Sequence, residues 1–297
     1  MIERKKQPIN TINLSETLNI LNDEGYVLLR DFDFNIEKLE EFSNVFCNNF
    51  HVVATRQNSS VRGDKYTTEV TAKNYALLGH TEGSYRPNNN PPEICFFMCV
   101  SPPSEPGGET TLVDGEKFFR LLPEKIRKRF ENTGITYEMY WEKARWQNEF
   151  LVNDIGSLKN FLDNAKGVKY SLHNEDLHLF YTTEAVRKNK RGNKVFANAM
   201  LAHIPEITHP GYQDKIVYTK ASNRVFFGDG EIIPNSMINE LIDIHDSIMY
   251  KHVWQAQDLL VIDNIRYLHG RAMIKNDCGR VLVSRFGRFV CNTEGVY

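Results

Sequence analysis

The chain has 297 residues, of which 41% are hydrophobic and 25% charged, and its formal net charge at pH 7 is −2. This composition allows a sizeable buried core, which excludes an intrinsically disordered protein. The nearly balanced charge indicates no nucleic-acid interface, and the sequence contains no apolar run of about 18 residues that would indicate a membrane span.

Cysteine usage bears on the cellular compartment. The five cysteines are odd in number, are scattered along the chain and include no CxxC pair. Because this pattern does not indicate a disulfide framework, we expect a protein of the reducing cytoplasm.

The N-terminal quarter of the chain is predicted to hold a strand, a helix and a long loop. Residues 25–32 are apolar enough for a buried strand, and residues 36–50 place their apolar side chains at helical spacing. Residues 51–78 are polar and poorly periodic, so we expect a loop that closes over an active site as a lid.

The remaining elements follow in chain order. We predict strands at 93–100 and 109–113, a helix from 116 to about 132, a strand at 134–141, a helix at 155–166, a helix from 235 or 236 to about 252, and strands at 258–263 and 280–286. Residues 142–225 are expected to form an insertion. Because strands and helices do not alternate regularly, we expect one β-sandwich domain with helical insertions, residues 1–297, rather than a doubly wound parallel sheet.

A His-x-Glu triplet is the first feature that carries chemistry. In an extended segment, residues i and i+2 project to the same face, so His80 and Glu82 can point at one ion. A second imidazole from a distant strand would complete a two-histidine, one-carboxylate triad, which leaves coordination positions of Fe(II) open for oxygen chemistry. His269, which follows the strand predicted at 258–263, is the candidate.

Together these positions resemble the taurine dioxygenase/TfdA family of 2-oxoglutarate oxygenases, part of the clavaminate synthase-like group. The resemblance is carried by HTEGSYRP (80–87), continued by PPEICFFMCVSPPSEPGGETTLVDG (91–115), and by DLLVIDNIRYLHGR (258–271), followed by GRVLVSRF (279–286). It implies a double-stranded β-helix, or jelly roll, as the β-sandwich core, flanked by helices.

The resemblance also implies roles for individual residues. His80, Glu82 and His269 would bind Fe(II). Thr110 would hydrogen-bond 2-oxoglutarate, and Arg280 would bind its distal carboxylate, for which the planar guanidinium is well suited.

Further positions are also candidates. Arg285 is an alternative to Arg280 for the 2-oxoglutarate contact. Tyr85 and Arg86 follow the metal motif and are candidates for substrate binding, although we favour a surface salt bridge for Arg86. Asn264, in the Asp-Asn pair, is interpreted as a turn residue.

The implied reaction couples the decarboxylation of 2-oxoglutarate by O₂ to hydroxylation of an unactivated C–H bond of a small molecule. Halogenase members of the family lack the carboxylate ligand, so Glu82 favours hydroxylation. A glutamate here resembles the branch that acts on amino acids, which favours an amino acid or a derivative of one, free or bound to a carrier protein. Desaturation or cyclisation, a zinc hydrolase and a non-catalytic β-sandwich binding protein are the alternatives.

Overall fold

The computed structural model describes residues 6–53, 60–61, 63–70, 74–87, 91–212, 217, 223–274 and 278–289. Its sheets are built from antiparallel pairs of strands. The strands are β1 (Tyr26–Leu29), β2 (Cys47–Phe50), β3 (Ser60–Val61), β4 (Asp64–Val70), β5 (Leu77–His80), β6 (Ile94–Ser101), β7 (Thr110–Asp114), β8 (Ile135–Trp141), β9 (Val168–His173), β10 (Asp176–Thr183), β11 (Arg187–Lys188), β12 (Lys194–Val195), β13 (Asn223–Phe227), β14 (Tyr250–His252), β15 (Leu259–Asp263), β16 (Tyr267–Arg271) and β17 (Val281–Phe289).

The helices flank the strands. They are α1 (Leu14–Glu24), α2 (Ile36–Phe46), α3 (Gly115–Leu121), α4 (Glu124–Thr133), α5 (Lys143–Phe150), α6 (Ile155–Asp163) and α7 (Asn235–Ser247). In the part of the chain that the structure describes, no helix has both the length and the apolar character needed to cross a membrane.

Two sheets form a β-sandwich. The larger has the order β1-β15-β6-β17-β4-β3, with β2 also paired to β17, and the smaller has the order β14-β7-β16-β5. Successive residues of β6 point to opposite faces. Phe97 packs in the cluster that contains Leu112 of the smaller sheet, whereas Phe96 packs in the cluster that contains Leu39 and Phe42 of α2. Both faces of the larger sheet are therefore buried, one by the smaller sheet and the other by helices.

A second four-stranded sheet, with the order β13-β8-β10-β9, lies outside the sandwich. One hydrophobic cluster joins it to the outer face of the smaller sheet, and its members include Val113 of β7, Leu268 of β16, Tyr137 of β8 and Leu241 of α7. The predicted insertion at 142–225 contributes β9 and β10 to this sheet, but β8 precedes it in the chain. The boundaries of the insertion remain a prediction, and its residues 213–216 and 218–222 lie outside the described residues.

The prediction of a continuous loop at 51–78 is wrong, because this stretch contains β3, β4 and the start of β5. The sequence of β4, DKYTTEV, is rich in tyrosine, threonine and valine, which favour strands, and the loop prediction overlooked this signal. The strand pairs with β17, where Glu69 opposes Val283 and Thr68 opposes Ser284. Residues 54–59, 62 and 71–73 lie outside the described part of the chain, and a lid function remains a prediction.

Three predicted helices end earlier than expected, at Phe46 in α2, Asp163 in α6 and Ser247 in α7. The chain leaves α2 to pair as β2 with β17, and it leaves α7 before β14, which pairs with β7. The helix predicted for 116–132 is divided into α3 and α4 at Pro123, whose ring holds Leu122 in an extended conformation. The predicted fold class, a mostly β jelly-roll sandwich flanked by helices, is confirmed.

Candidate metal centre

Two histidines come from neighbouring strands of the smaller sheet. His269 on β16 lies directly opposite His80 on β5, and the centroids of their rings are 4.6 Å apart. Side chains of directly opposed residues in an antiparallel pair point to the same face. The ring of His269 also lies 5.2 Å from that of Phe97 on the larger sheet, so both imidazoles enter the interior of the sandwich.

Glu82 lies two residues beyond the end of β5 and completes the cluster. Its Oε2 atom is 3.9 Å from Nε2 of His269, and one ligand atom from each of the three side chains lies within 4.8 Å of the others. The Nδ1 atom of His80 is 3.2 Å from the carbonyl oxygen of Leu78, which can only accept, so Nδ1 carries the proton and Nε2 keeps its lone pair. The geometry allows one ion to contact all three residues.

The chemistry of these donors fits iron. Two neutral imidazoles and one carboxylate, grouped on one side of an ion, form the ligand set of non-haem Fe(II) oxygenases. The opposite side of such an ion would then remain available to a cosubstrate and to O₂. A second protein carboxylate or imidazole would occupy part of that side.

Asn264 holds the backbone of Glu82, a role that the sequence did not reveal. Its Oδ1 atom accepts from the backbone N–H of Glu82 at 2.9 Å, and its Nδ2 atom donates to the carbonyl oxygens of Glu82 at 3.2 Å and Pro92 at 2.7 Å. The preceding Asp263 makes the turn itself, through bonds to two following backbone N–H groups. Asn264 lies in this turn, as interpreted from the sequence, and its side chain has a second role. Its side chain is 1% exposed and links the segment leading to His269 with Glu82.

The residues predicted to bind 2-oxoglutarate lie at one end of the sandwich. Thr110 is buried at the start of β7, and its Oγ1 atom accepts a hydrogen bond from Nε1 of Trp254 at 3.2 Å. Arg280, which immediately precedes β17, is 4% exposed. Gly108, two residues before Thr110, leaves room for it, because an added Cβ there would lie 3.0 Å from Cδ of Arg280. The structure thus brings Arg280 towards the segment that carries Thr110.

Arg285 is placed elsewhere. It opposes Phe96 in the register of β17 with β6, and so shares the face of the larger sheet that turns away from the histidines. Its guanidinium forms an ion pair with Asp64 and a 2.6 Å hydrogen bond to Thr67 of β4. The structure does not bring Arg285 to the metal ligands.

The two candidate substrate residues are buried. The ring of Tyr85 is tilted against that of His203, with centroids 4.4 Å apart, and burial raises the pKa of the tyrosine to about 12. Arg86 is 7% exposed, and its Nη2 atom lies 2.8 Å from Oε2 of Glu149 on α5. The expectation of a surface salt bridge is therefore wrong, because α5 covers the arginine and makes the ion pair an internal one.

A small cavity of about 150 Å³ adjoins this ion pair. Its walls include Arg86, Glu149 and His51. Burial lowers the pKa of His51, and Arg288 and Arg86 act in the same direction, against the opposite effect of Glu82 and Glu93. The cavity is therefore lined by a cation, an anion and an imidazole.

Comparison with known proteins gives concordant results. A family model described as "Taurine catabolism dioxygenase TauD, TfdA family" matches residues 4–285. The chain is similar to the dapdiamide synthesis protein DdaC of Enterobacter agglomerans and to a clavaminate synthase-like protein of Arabidopsis thaliana, each 23% identical over 85% of this chain and 79% of the relative. Its fold resembles the crystal structure of PvcB from Pseudomonas aeruginosa, with a TM-score of 0.57 and 16% identity over 95% of this chain and 82% of that one.

The family match covers nearly the whole chain, including each predicted metal ligand. It confirms the resemblance carried by the sequence motifs, the dioxygenase class, and the cofactors Fe(II), 2-oxoglutarate and O₂. The chain belongs to the taurine catabolism dioxygenase TauD, TfdA family.

Proposed function

We propose that this protein hydroxylates an unactivated C–H bond of a small metabolite, with Fe(II) held by His80, Glu82 and His269. The observation that carries the proposal is the convergence of these three side chains, with ligand atoms within 4.8 Å of one another, although His269 is far from the other two in the sequence. Bound Fe(II), with 2-oxoglutarate and O₂, supplies the oxidising power. The protein positions the reactants and excludes water.

Thr110 and Arg280 are proposed to hold 2-oxoglutarate. Both are buried, and a buried guanidinium is stabilised by a carboxylate that bonds two of its N–H groups. The hydroxyl of Thr110 already accepts from Trp254 and keeps its own proton for donation to a carboxylate oxygen. Arg280 lies next to Gly108 in the segment that carries Thr110, whereas Arg285 is paired with Asp64 on the face away from the histidines, and this argues for Arg280 in the role.

Arg86 is proposed to bind a carboxylate of the substrate, with Tyr85 and Glu149 fixing its guanidinium. Nε of Arg86 donates to the hydroxyl oxygen of Tyr85 at 3.4 Å, and Nη2 is paired with Glu149. These partners occupy one edge of the guanidinium, and the cavity of about 150 Å³ lies beside it. A carboxylate in that cavity would find a preoriented cation.

The substrate is proposed to be an amino acid or an amino-acid-derived precursor, either free or bound to a carrier protein. Two relatives carry names from biosynthesis: DdaC is a dapdiamide synthesis protein, and PvcB is described as belonging to an isonitrile synthetic pathway. The buried Arg86 is consistent with a substrate that carries a carboxylate.

We also infer that the protein acts in the cytoplasm. The described cysteines, Cys47, Cys95, Cys99 and Cys278, are all buried free thiols. Free thiols persist in reducing compartments, which supports this location.

The test is anaerobic addition of Fe(II) and 2-oxoglutarate, followed by a visible absorption spectrum. We expect a weak charge-transfer band that is absent from Glu82→Ala and Arg280→Ala. Arg285→Ala is the matched control and should keep the band. A band lost from Arg285→Ala and kept by Arg280→Ala would reverse the assignment of the two arginines.

A substrate screen then tests the reaction. Free and carrier-bound amino acids are incubated with the loaded enzyme in air, and succinate and the mass of the co-product are measured. Hydroxylation predicts succinate together with a product heavier by one oxygen atom. Loss of two hydrogen atoms would indicate desaturation or cyclisation instead, and hydrolysis without succinate would indicate a zinc hydrolase. A bound compound that stays unchanged would indicate a binding protein.

A further inference from the structure

A buried histidine of α7 contacts the strand that carries the first metal ligand. β5 forms one edge of the smaller sheet, and an edge strand presents backbone groups that no neighbouring strand satisfies. The backbone N–H of Gly79 donates to Nε2 of His245 at 3.1 Å. His245 is 1% exposed, so its ring takes the place of a strand partner at a position closed to water.

The orientation of this imidazole is fixed from its other side. Because Nε2 accepts from Gly79, the ring proton is on Nδ1, which donates to Oδ1 of Asp246 at 2.8 Å. The same carboxylate oxygen accepts from the hydroxyl of Tyr212 at 2.9 Å. One chain of hydrogen bonds therefore runs from Tyr212 through Asp246 and His245 to the backbone next to His80.

The contact at Gly79 is too close for any other residue. A Cβ at this position would lie 2.7 Å from Nε2 of His245 and 3.2 Å from Cβ of Leu268 on β16. The glycine thus allows β5 to lie between the imidazole and β16, and β16 carries His269. The ligand segment is held at Gly79 by His245 and at Glu82 by Asn264.

We propose that His245, oriented by Asp246 and Tyr212, is a positioning residue that fixes β5 so that His80 and Glu82 face the same ion as His269. This role rests on the proposed metal site. His245 acts through the backbone of Gly79 and contacts neither the ion nor the substrate. The histidine supplies an acceptor that a hydrophobic residue of α7 would lack.

Binding of Co(II) to the full-length chain tests the proposal. We expect His245→Leu to weaken binding roughly ten- to a hundred-fold, as is typical when a group supporting metal ligands is removed, and to alter the Co(II) absorption spectrum at saturation. His245→Gln should recover most of the affinity, since its amide oxygen can accept from Gly79. The control is His178→Leu, since His178 is also paired with a carboxylate, that of Glu138, at 2.9 Å. It should bind Co(II) as the parent chain does.

The outcomes separate the two proposals. If the parent chain does not bind Co(II), the metal site itself is overturned, and the positioning role with it. If the parent binds and His245→Leu has the same affinity and spectrum, or His245→Gln is no better than His245→Leu, the positioning role alone is overturned. Should His245→Leu fail to fold, Asp246→Ala takes its place: we expect a several-fold loss of affinity, and an unchanged affinity overturns the proposal.

Discussion

Replacement of Asn264 by leucine removes a side chain that hydrogen-bonds the backbone of Glu82, a proposed metal ligand. Three hydrogen bonds are lost, two to Glu82 and one to Pro92, with lengths between 2.7 and 3.2 Å. The shape of the residue is nearly kept. We expect a less stable protein whose Glu82 is no longer held towards His80 and His269.

The size of both effects follows from the contacts. A net hydrogen bond contributes about 1 kcal/mol to the free energy of unfolding, so the loss of three costs roughly 3 kcal/mol. Removal of a group that orients a metal ligand typically lowers metal affinity about 10- to 100-fold. The loss of free energy of unfolding concerns the stability of the whole fold, whereas the loss of metal affinity is specific to the metal centre.

Asn189 provides a matched control. Its Oδ1 atom accepts from the backbone N–H groups of Arg191 and Asn193 at 3.0 Å, and its Nδ2 atom donates to Glu116 at 3.3 Å. It thus also makes three hydrogen bonds, but at the turn between β11 and β12. Asn189→Leu should lose a similar free energy of unfolding and keep the parent affinity for metal.

The assay combines urea unfolding of the metal-free chain with a Mn(II) titration of the folded chain. Asn264→Leu should show both losses, and Asn189→Leu only the first. Equal Mn(II) affinities in Asn264→Leu and the parent would refute the reasoning, because the bonds to Glu82 would then not matter for the ligand. Equal losses of affinity in the two variants would refute it as well, since the effect would be one of general stability.

Three further predictions concern the fold around the site. Gly270→Ala should lower the free energy of unfolding by about 1–3 kcal/mol, because its Cβ would collide with the carbonyl oxygen of Leu77, and an unchanged thermal midpoint would contradict this. Although burial opposes ionisation of Asp258, hydrogen bonds led by that from Arg30 hold its pKa at about 2. Since the unfolded carboxylate takes up its proton first, near pH 3.8, this stabilisation is full above that pH. The free energy of unfolding then falls by about 2 kcal/mol as the pH falls to about 2. Urea unfolding should show a smaller decrease in Arg30→Met than in the parent chain. Burial raises the pKa of the Cys99 thiol to about 12, so mass spectrometry should find it unalkylated by iodoacetamide at pH 8 until the chain is unfolded.

Local sequence patterns were sufficient to predict those elements whose own side chains determine the secondary structure. The strands β6 and β15 are apolar on both faces because each is covered on both sides, and such runs are recognisable without neighbours. The proposed metal ligands could be picked out because a His-x-Glu triplet and an HGR segment are specific in combination. The structure places His80 and His269 in direct register, which brings the two imidazoles together.

What the sequence did not predict depends on contacts between distant residues. Asn264 bonds to a residue 182 positions away, and His245 to one 166 positions away, so neither role has a local signal. The strand β4 is a different case, because the tyrosine, threonine and valine of DKYTTEV are a local strand signal that the prediction overlooked. The sequence around Arg86 does not show that this residue is buried. The helix that covers it, α5, belongs to a region without clear periodicity.

The register of β16 against β5 determines where the chain tolerates a change of length. Adjacent residues of a strand face opposite sides, so one residue inserted between Asn264 and His269 would turn the imidazole outwards and bring Leu268 into its place. At the exposed turn around Gly192, an added side chain meets no atom within 4 Å. Peptide tags, fluorescent labels or linkers to other enzymes are therefore best inserted at that turn, whereas libraries that vary the substrate range should keep residues 264–269 at constant length.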